Sequence, residues 1–232
     1  MLLYFLNNNL KRGYTMYITE RDKYLLKHIE ENGSLSLINA SNLFFYGHKD
    51  NASRRLNQLV KAKKLKSYRT EYDFLTHQEK IFILPGMKKV KEHELLRENF
   101  KTLLELQFTD DENEYVCEDS INLTFPFMYT EDKKFHKFIK PDYIVKYIYK
   151  GIQYTIILEI DYTHYTSLDK QQTMLDKKEQ IEDILYKNNL YSKHWYIVIA
   201  SNKEQDHLPG IIYTDLFFTN LFASIHKYKI HN

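Results

Sequence analysis

The chain has 232 residues, of which 43% are apolar and 15% aromatic, enough to form genuine cores in one domain or two. Cys117 is the only cysteine, which excludes an intramolecular disulfide, a cysteine-based zinc site and a paired redox motif. Residues 1–6 are too short for a signal-peptide core and no stretch approaches membrane-spanning length, so a cytoplasmic protein without a membrane span is expected.

The net charge of +2 hides an uneven distribution along the chain. From Met1 to Lys91 there are 17 Lys and Arg against 8 Asp and Glu, a net charge of +9. The remainder holds 16 against 23, a net charge of −7. The basic first part indicates a polyanion partner, while the acidic remainder argues against a protein that coats nucleic acid along its whole surface.

Three short helices and two strands are predicted in the first part. Thr19 can begin the first helix, which ends at Gly33, Ser36 can cap the second, and Asp50 the third. Strands at 65–69 and 80–84 follow, and this order of elements is typical of a winged helix-turn-helix. Pro85-Gly86 then breaks the pattern, so residues 1–86 are predicted to be one domain and residues 87–232 another.

The third helix buries an apolar stripe and turns polar side chains outward. Arginine and amide side chains match the edges of guanine and adenine, and lysine suits phosphate. These residue types predict double-stranded DNA as a partner, although a basic helix face in a protein-binding winged helix is the alternative. The predicted DNA-binding residues are Asn51, Arg54, Arg55, Gln58, Lys61 and Arg69.

The second part is predicted to read α, β, β, β, α, β, α. A helix over 90–108 carries His93, Glu94, Arg97 and Glu98, and one of these four residues is expected to face the acids described below. Later elements are a strand at 115–117, an irregular connection at 124–137, a hairpin, a helix at 168–189, a strand at 194–200 and a last helix at 214–227.

The hairpin turns at Lys150-Gly151, which pairs residues whose numbers sum to 301 and places Asp142 opposite Glu159. Asp161 lies on the same face as Glu159 because side chains alternate along a strand. Opposed carboxylates are destabilising unless a cation lies between them, so the three acids predict a Mg²⁺ or Mn²⁺ site. The alternative is an exposed hairpin end with solvated acids, partly neutralised by Lys140.

Pro141-Asp142 and Glu159-Ile160-Asp161, in this order of elements, resemble the restriction-endonuclease-like PD-(D/E)xK fold. The whole chain is similar to the replication-relaxation family of plasmids and conjugative elements, over roughly residues 18–186. The residues carrying that similarity are Thr19 to Asp22, Ala52 to Leu59, His93, and Glu159-x-Asp161 followed by Thr163. The expected fold class is therefore α+β/α/β, a winged helix-turn-helix followed by a nuclease-like αβββαβ domain.

The resemblance implies processing of a plasmid or transfer origin, alongside other replication or relaxosome proteins and with a homodimer as one option. Asp142, Glu159 and Asp161 would be the catalytic metal ligands. Asp161 stands where the family's pattern has a lysine, so Lys170 is expected to take that role, with Lys177 or Lys140 as substitutes; His93, Glu94 or His164 would assist. Water and a tyrosine are both open as nucleophile, and an inert nuclease relic that serves replication is the alternative function. A plain transcription factor would leave Asp142 and Glu159 unexplained.

Overall fold

The computed structural model describes residues 16–70, 78–108, 114–126, 136–162, 166–202, 208–219 and 221–228. These residues form two compact units, one containing 16–70 and 78–89 and the other the described residues from Val90 onward. The division follows Lys89, three residues beyond the boundary placed after Gly86. No helix in the described part of the chain is long and apolar enough to cross a membrane.

The first unit contains three helices and a small sheet. The sheet order is β1-β3-β2 with antiparallel neighbours, and the two-residue strand β1 is an element that the sequence did not reveal. The elements are α1 (Glu20–Asn32), β1 (Leu35–Ser36), α2 (Leu37–Phe44), α3 (Lys49–Lys61), β2 (Lys66–Thr70) and β3 (Glu79–Ile83).

Short-range signals set the helix boundaries in this unit. A reciprocal capping box joins Thr19 and Asp22 at the start of α1, and Gly33 ends the helix in a left-handed conformation at φ 86°. Ser36 caps α2 as predicted. The prediction that Asp50 caps α3 was wrong: the helix begins at Lys49, so Asp50 lies in its first turn, where its charge still favours the helix dipole.

The core of the first unit forms where the helices meet the sheet. One apolar stripe from each long helix packs against β1 and β3, which accounts for the helical spacing of these residues in the sequence. The fully buried members are Leu25, Ile29, Leu35, Ala40, Ala52, Leu56, Leu59 and Phe82.

The second unit is built on a five-stranded mixed sheet of order β10-β9-β8-β7-β4. Strands β4, β7 and β8 are antiparallel neighbours, whereas β8, β9 and β10 run parallel. The elements are α4 (Glu92–Gln107), β4 (Tyr115–Glu118), β5 (Leu123–Pro126), β6 (His136–Ile139), β7 (Tyr143–Tyr149), β8 (Ile152–Asp161), α5 (Leu168–Asp176), α6 (Lys178–Lys187), β9 (His194–Ser201), β10 (Ile211–Thr214) and α7 (Leu221–Tyr228).

Three sequence predictions for the second unit were wrong. The ends of the connection at 124–137 form the antiparallel pair β5 and β6. The helix at 168–189 is two helices that meet at Lys177, where neither Gly nor Pro marks the break. Residues 211–214 are the strand β10, and the last helix begins at Leu221.

The predicted hairpin register is confirmed from Tyr149↔Ile152 to Tyr143↔Leu158. Lys150 and Gly151 have φ values of 49° and 72°, the positive pair that a type I′ turn requires. The register ends one residue before the predicted acid pair, however. The backbone N–H of Asp142 donates to the carbonyl oxygen of Leu158 at 2.9 Å, so Asp142 leaves the ladder instead of pairing with Glu159.

Helices cover the two faces of the sheet differently. Ile144 and Ile157 pack with Met174 of α5 and Ile181 of α6. The alternate residues of the same strands face the other side, where Phe100 of α4 stacks on Tyr143 with ring centroids 5.6 Å apart. The end of β8 therefore lies between α4 on one face and α5 on the other.

Candidate functional site

The candidate site lies at the carboxyl ends of the parallel strands. Glu159 and Asp161 are the last acidic residues of β8, and Asp161 lies beside Ser201 at the end of β9. Asp142 precedes β7, which runs antiparallel to β8 and so begins at the same edge. This edge is where open α/β sheets place ligands, because loops diverge there and leave a crevice.

Lys170 reaches Glu159 from the first turn of α5. Its Nζ lies 2.9 Å from Oε1 of Glu159, whose side chain is only 8% exposed. Burial raises the pKa of Glu159 to about 7 although the lysine opposes the shift. A carboxyl group that titrates near neutrality beside a lysine is typical of catalytic sites.

Asp161 anchors the segment that leads into α5. Both of its carboxylate oxygens accept hydrogen bonds from Thr166, from the backbone N–H at 2.6 Å and from the hydroxyl at 2.7 Å. Gln171 donates to the carbonyl of Thr166 at 2.8 Å and accepts from the hydroxyl of Tyr213 at 2.6 Å. Each oxygen of Asp161 therefore has one hydrogen-bond partner within the chain, and the role of Asp161 as a metal ligand stays a prediction.

Asp142 is held by α4 and by the backbone of β8. Its Oδ1 lies 3.2 Å from Nε2 of His93, and its Oδ2 accepts the backbone N–H of Ile160 at 2.8 Å. The hydrogen bond to Asp142 raises the pKa of His93, which favours the imidazolium. The expectation that a polar residue of this helix faces the hairpin's acids is confirmed for His93.

Arg97 lies one helical turn after His93 and is a second polar residue of this helix that faces Asp142. Its guanidinium stacks over the ring of Tyr143 at 4.7 Å, and its Nε lies 3.8 Å from Oδ1 of Asp142. Arg97 also pairs with Glu94 at 3.0 Å and with Asp119 at 2.9 Å. Glu94 is therefore in contact with the cationic side chains of its own helix, His93 and Arg97, and it does not join the acids of the hairpin.

The three acids do not form one patch. Asp142 pairs with His93, and Glu159 pairs separately with Lys170. Asp142 is held from the α4 side of the sheet and Glu159 from the α5 side, although the charge of Asp142 still contributes to the raised pKa of Glu159. Among the described residues, no group of three or more His, Cys, Asp and Glu is placed to hold a metal ion.

The remaining predicted residues of this site fall outside it. Lys177 is the residue between α5 and α6, about 10 Å along the helix axis from Lys170 at the usual rise per residue. Among the residues the structure covers, Lys177 forms no ion pair with Asp142, Glu159 or Asp161. Thr163 and His164 lie outside the described residues.

The predicted DNA-binding face of α3 borders a cavity in the first unit. Its volume is about 460 Å³, and Asn51, Arg54 and Gln58 line it with exposed side chains. Lys61 and Arg69 are exposed as well but do not line the cavity. The arginine and the two amides are therefore available to a ligand.

Arg55 differs from its neighbours on α3. Its Nε and Nη2 donate hydrogen bonds to the two oxygens of Asp22, a fully buried carboxylate. Nη2 also donates to the carbonyl of Tyr17 at 2.7 Å. The predicted outward orientation of Arg55 is therefore corrected: only 18% of its side chain is exposed, and it ties α3 to the start of α1. Burial opposes ionisation of Asp22, but the hydrogen bonds from Arg55 and Thr19 outweigh it and lower the pKa of Asp22.

Comparison of the chain with protein-family models, with curated proteins and with solved structures gave no match.

Substitution of Glu159 by Gln is expected to stabilise the protein at alkaline pH. The pKa of Glu159 is raised from 4.5 to about 7, so the folded state holds the protonated form more tightly than the unfolded state does. The stability that this proton contributes is fully present below pH 4.5 and is lost as the pH rises through 7. In chelator-treated buffer at about pH 8.5, the Gln variant should gain about 2 kcal/mol in free energy of unfolding, the gain falling towards zero near pH 4.5. Urea denaturation across this range measures the difference.

The exposed Glu179 on α6 provides the matched control. Its substitution by Gln should change the free energy of unfolding by no more than about 0.5 kcal/mol at either pH. A Glu159→Gln variant that is equally stable to the wild type at every pH, or less stable at alkaline pH, would contradict a buried and costly carboxylate.

Proposed function

We propose that the protein binds DNA through its first unit and cleaves a phosphodiester bond at the carboxyl end of β8 in its second. The class of DNA we propose, from the resemblance to the replication-relaxation family, is a plasmid or transfer origin. Other replication or relaxosome proteins would be its partners there.

Element order supports the finer fold assignments. In the first unit, three helices precede a hairpin, and β1 pairs with β3 to give the order β1-β3-β2, which fits a winged helix. In the main sheet of the second unit, α4 precedes the antiparallel strands β4, β7 and β8, and α5, α6 and the parallel strands β9 and β10 follow, an order that fits a PD-(D/E)xK nuclease-like domain with the pair β5–β6 inserted after β4.

Charge and side-chain chemistry support the DNA-binding half of the proposal. The segment from Met1 to Lys91 carries a net charge of +9, which favours phosphate contacts of any sequence. Arg54, Asn51 and Gln58 supply the donors and acceptors that match base edges, while Lys61 and Arg69 suit the backbone. Arg55 serves this surface indirectly by fixing the position of α3.

The single observation that carries the cleavage half is the contact between Lys170 and Glu159. In this chain Asp161 occupies the position of the lysine in the Glu-x-Lys pattern. The distance of 2.9 Å between Nζ of Lys170 and Oε1 of Glu159 brings a lysine from the next helix to the same acid. A cation held beside a buried carboxylate at the end of a sheet can stabilise charge that develops on a phosphate.

Asp142 and Glu159, which are close enough for the charge of Asp142 to act on the pKa of Glu159, would be the two protein ligands of a Mg²⁺ or Mn²⁺ ion. Mg²⁺ is commonly held in proteins by one or two carboxylates, with water and substrate phosphate oxygens completing the shell. When bound, such an ion would polarise the phosphodiester and lower the pKa of an attacking water or hydroxyl.

The remaining residues would act around that pair. Lys170 would contact the scissile phosphate, and His93, whose pKa is raised by its hydrogen bond to Asp142, would donate a proton to a departing oxygen in its imidazolium form. Asp161 would act as a positioning residue, because its bonds to Thr166 fix the start of α5 and therefore the reach of Lys170. Arg97 would hold Asp142 from the side of α4.

A second candidate function is an inert nuclease-like domain in a replication initiator or regulator. The observation that favours it is that groups of the protein already contact the acids. Asp161 accepts hydrogen bonds from Thr166, and Asp142 contacts His93 and accepts the backbone N–H of Ile160. Under this alternative the second unit would contact origin DNA or form a dimer without cleaving.

Two neighbouring arginines should separate DNA affinity from stability. Arg54→Ala is expected to weaken binding to cognate origin DNA by roughly fivefold or more, because a lost base contact costs about 1 kcal/mol or above. Its free energy of unfolding should not change. Arg55→Ala should lower the free energy of unfolding by about 3 kcal/mol, because it leaves the buried Asp22 carboxylate unpaired. Fluorescence anisotropy and urea denaturation measure the two effects.

The exposed Lys27 on α1 supplies a control for loss of charge, since Lys27→Ala removes one positive charge away from α3. If Arg54→Ala and Lys27→Ala weakened DNA binding equally, Arg54 would contribute only sequence-independent electrostatic attraction and no base contact. Unchanged stability of Arg55→Ala would contradict its structural assignment.

Supercoiled DNA carrying the cognate origin is expected to be nicked by the wild-type protein with Mn²⁺ and not with a chelator. Lys170→Ala, Glu159→Gln and Asp142→Asn should each reduce the rate by at least about a hundredfold while keeping DNA affinity, because each removes a group at the reacting phosphate. Agarose gel electrophoresis over time measures the rate.

Lys177→Ala is the matched control, since it removes a lysine about two helical turns from Lys170 and should nick at nearly the wild-type rate. Tight origin binding by the wild type without any nicking in Mn²⁺ or Mg²⁺ would overturn the cleavage proposal and support the inert alternative.

A further inference from the structure

The cavity beside α3 has a second wall that the proposed base contacts along α3 do not use. This wall consists of Arg21 in the first turn of α1 and of Phe45 and Tyr46 in the turn between α2 and α3. The guanidinium carbon of Arg21 lies over the ring of Phe45, 4.2 Å from its centroid. The cavity volume of about 460 Å³ falls within the range of small-molecule sites.

Tyr46 is held in a conformation that bulky residues rarely adopt. Its φ is 53°, in the left-handed region, and 92% of its surface is exposed. Hydrogen bonds on either side fix the turn, from the Gly47 N–H to Ser41 and from the His48 N–H to Phe45. An aromatic ring presented to solvent by a strained backbone, on the wall of a cavity, indicates a surface that a ligand covers.

The electrostatics of the cavity favour an anion. Within residues 16–70 and 78–89, neither Arg21 nor Arg54 pairs with a carboxylate, and no acidic side chain lines the cavity. Asn51 and Gln58 add amide donors and acceptors to the same walls. A ligand with a flat ring, a phosphate and a polar ring edge would match these three features, and a nucleotide has all of them.

We infer that this cavity binds one unpaired nucleotide of a DNA strand, with its base stacked on Tyr46 and its phosphate beside Arg21. The inference rests on the proposed DNA binding and specifies the kind of DNA. In a closed duplex, neighbouring base pairs cover both faces of each base, so only an unpaired or extruded base can stack on a protein ring. The protein would therefore prefer DNA that is locally opened, whereas contacts along α3 alone would bind a fully paired duplex equally well.

The test compares two duplexes of the same cognate sequence, one fully paired and one with a single bulged 2-aminopurine, binding to the full-length protein. The bulged duplex should bind about tenfold more tightly, the usual size of one base–aromatic stacking contact, and its fluorescence should fall on binding. Tyr46→Phe should keep this preference. Tyr46→Ala should abolish it and leave affinity for the paired duplex within about twofold.

Two further variants remove misfolding as an explanation. Tyr46→Gly relieves the left-handed strain, so it should lose the preference without any loss of stability. Tyr24→Ala removes another exposed tyrosine of the same unit, one that does not line the cavity, and should keep the preference.

Equal affinity for the two duplexes, or a preference that survives Tyr46→Ala, would overturn the inference and leave DNA binding standing. Full competition by free 2-aminopurine deoxyribonucleotide, at concentrations matching the duplex, would overturn the requirement for a DNA strand. Failure of the wild type to bind either duplex would overturn the proposed DNA binding and the inference together.

Discussion

The second unit depends on the hydrogen bonds that Asp161 makes to Thr166. Asp161 ends β8 and Thr166 precedes α5, so this contact sets the point at which the chain leaves the sheet and begins the helix. Gln171 and Tyr213 extend the contact into a chain of hydrogen bonds that is mostly buried, and such chains favour one arrangement because an alternative would leave buried polar groups unpaired. Lys170 begins the same helix, so its position against Glu159 follows from that anchor.

Buried charges are treated differently in the two units. In the first unit, Asp22 is matched by a bidentate Arg55 and by the helix cap, and its pKa is lowered, so the ionised form contributes to stability at neutral pH. In the second unit, burial raises the pKa of Glu159, and the ionised form is costly. The first pattern is typical of structural ion pairs. The second is typical of sites where function outweighs stability.

Local signals in the sequence predicted much of the fold. The Thr19 capping box, Gly33, the Lys150-Gly151 turn and the register that follows from it are all short-range, and each is confirmed. Of the five described strands with two to four residues, β1, β4, β5, β6 and β10, only β4 was predicted, because alternation over so few residues is a weak signal. The break at Lys177 was missed because neither Gly nor Pro marks it.

The candidate site was predictable in its residues but not in its pairing. The hairpin register indicated Asp142 and Glu159 as site residues. Because position 161 holds an aspartate and not a lysine, Lys170 was predicted to supply the cation. Which acid meets which cation depends on the helices of the two faces, and that information is tertiary. His93 and Arg97 on one side and Lys170 on the other divide the acids between them. The contacts of Asp161 with Thr166 and of Arg55 with Asp22 were not predicted for the same reason, since each depends on the tertiary structure.

The most direct test of this account is a crystal structure of the protein grown with Mn²⁺, with anomalous diffraction to locate the ion. The account predicts an anomalous peak bound by Asp142 and Glu159, with Lys170 beside it and Asp161 still bonded to Thr166. A peak on Asp161 with Thr166 released, or no peak between Asp142 and Glu159 at saturating Mn²⁺, would contradict it.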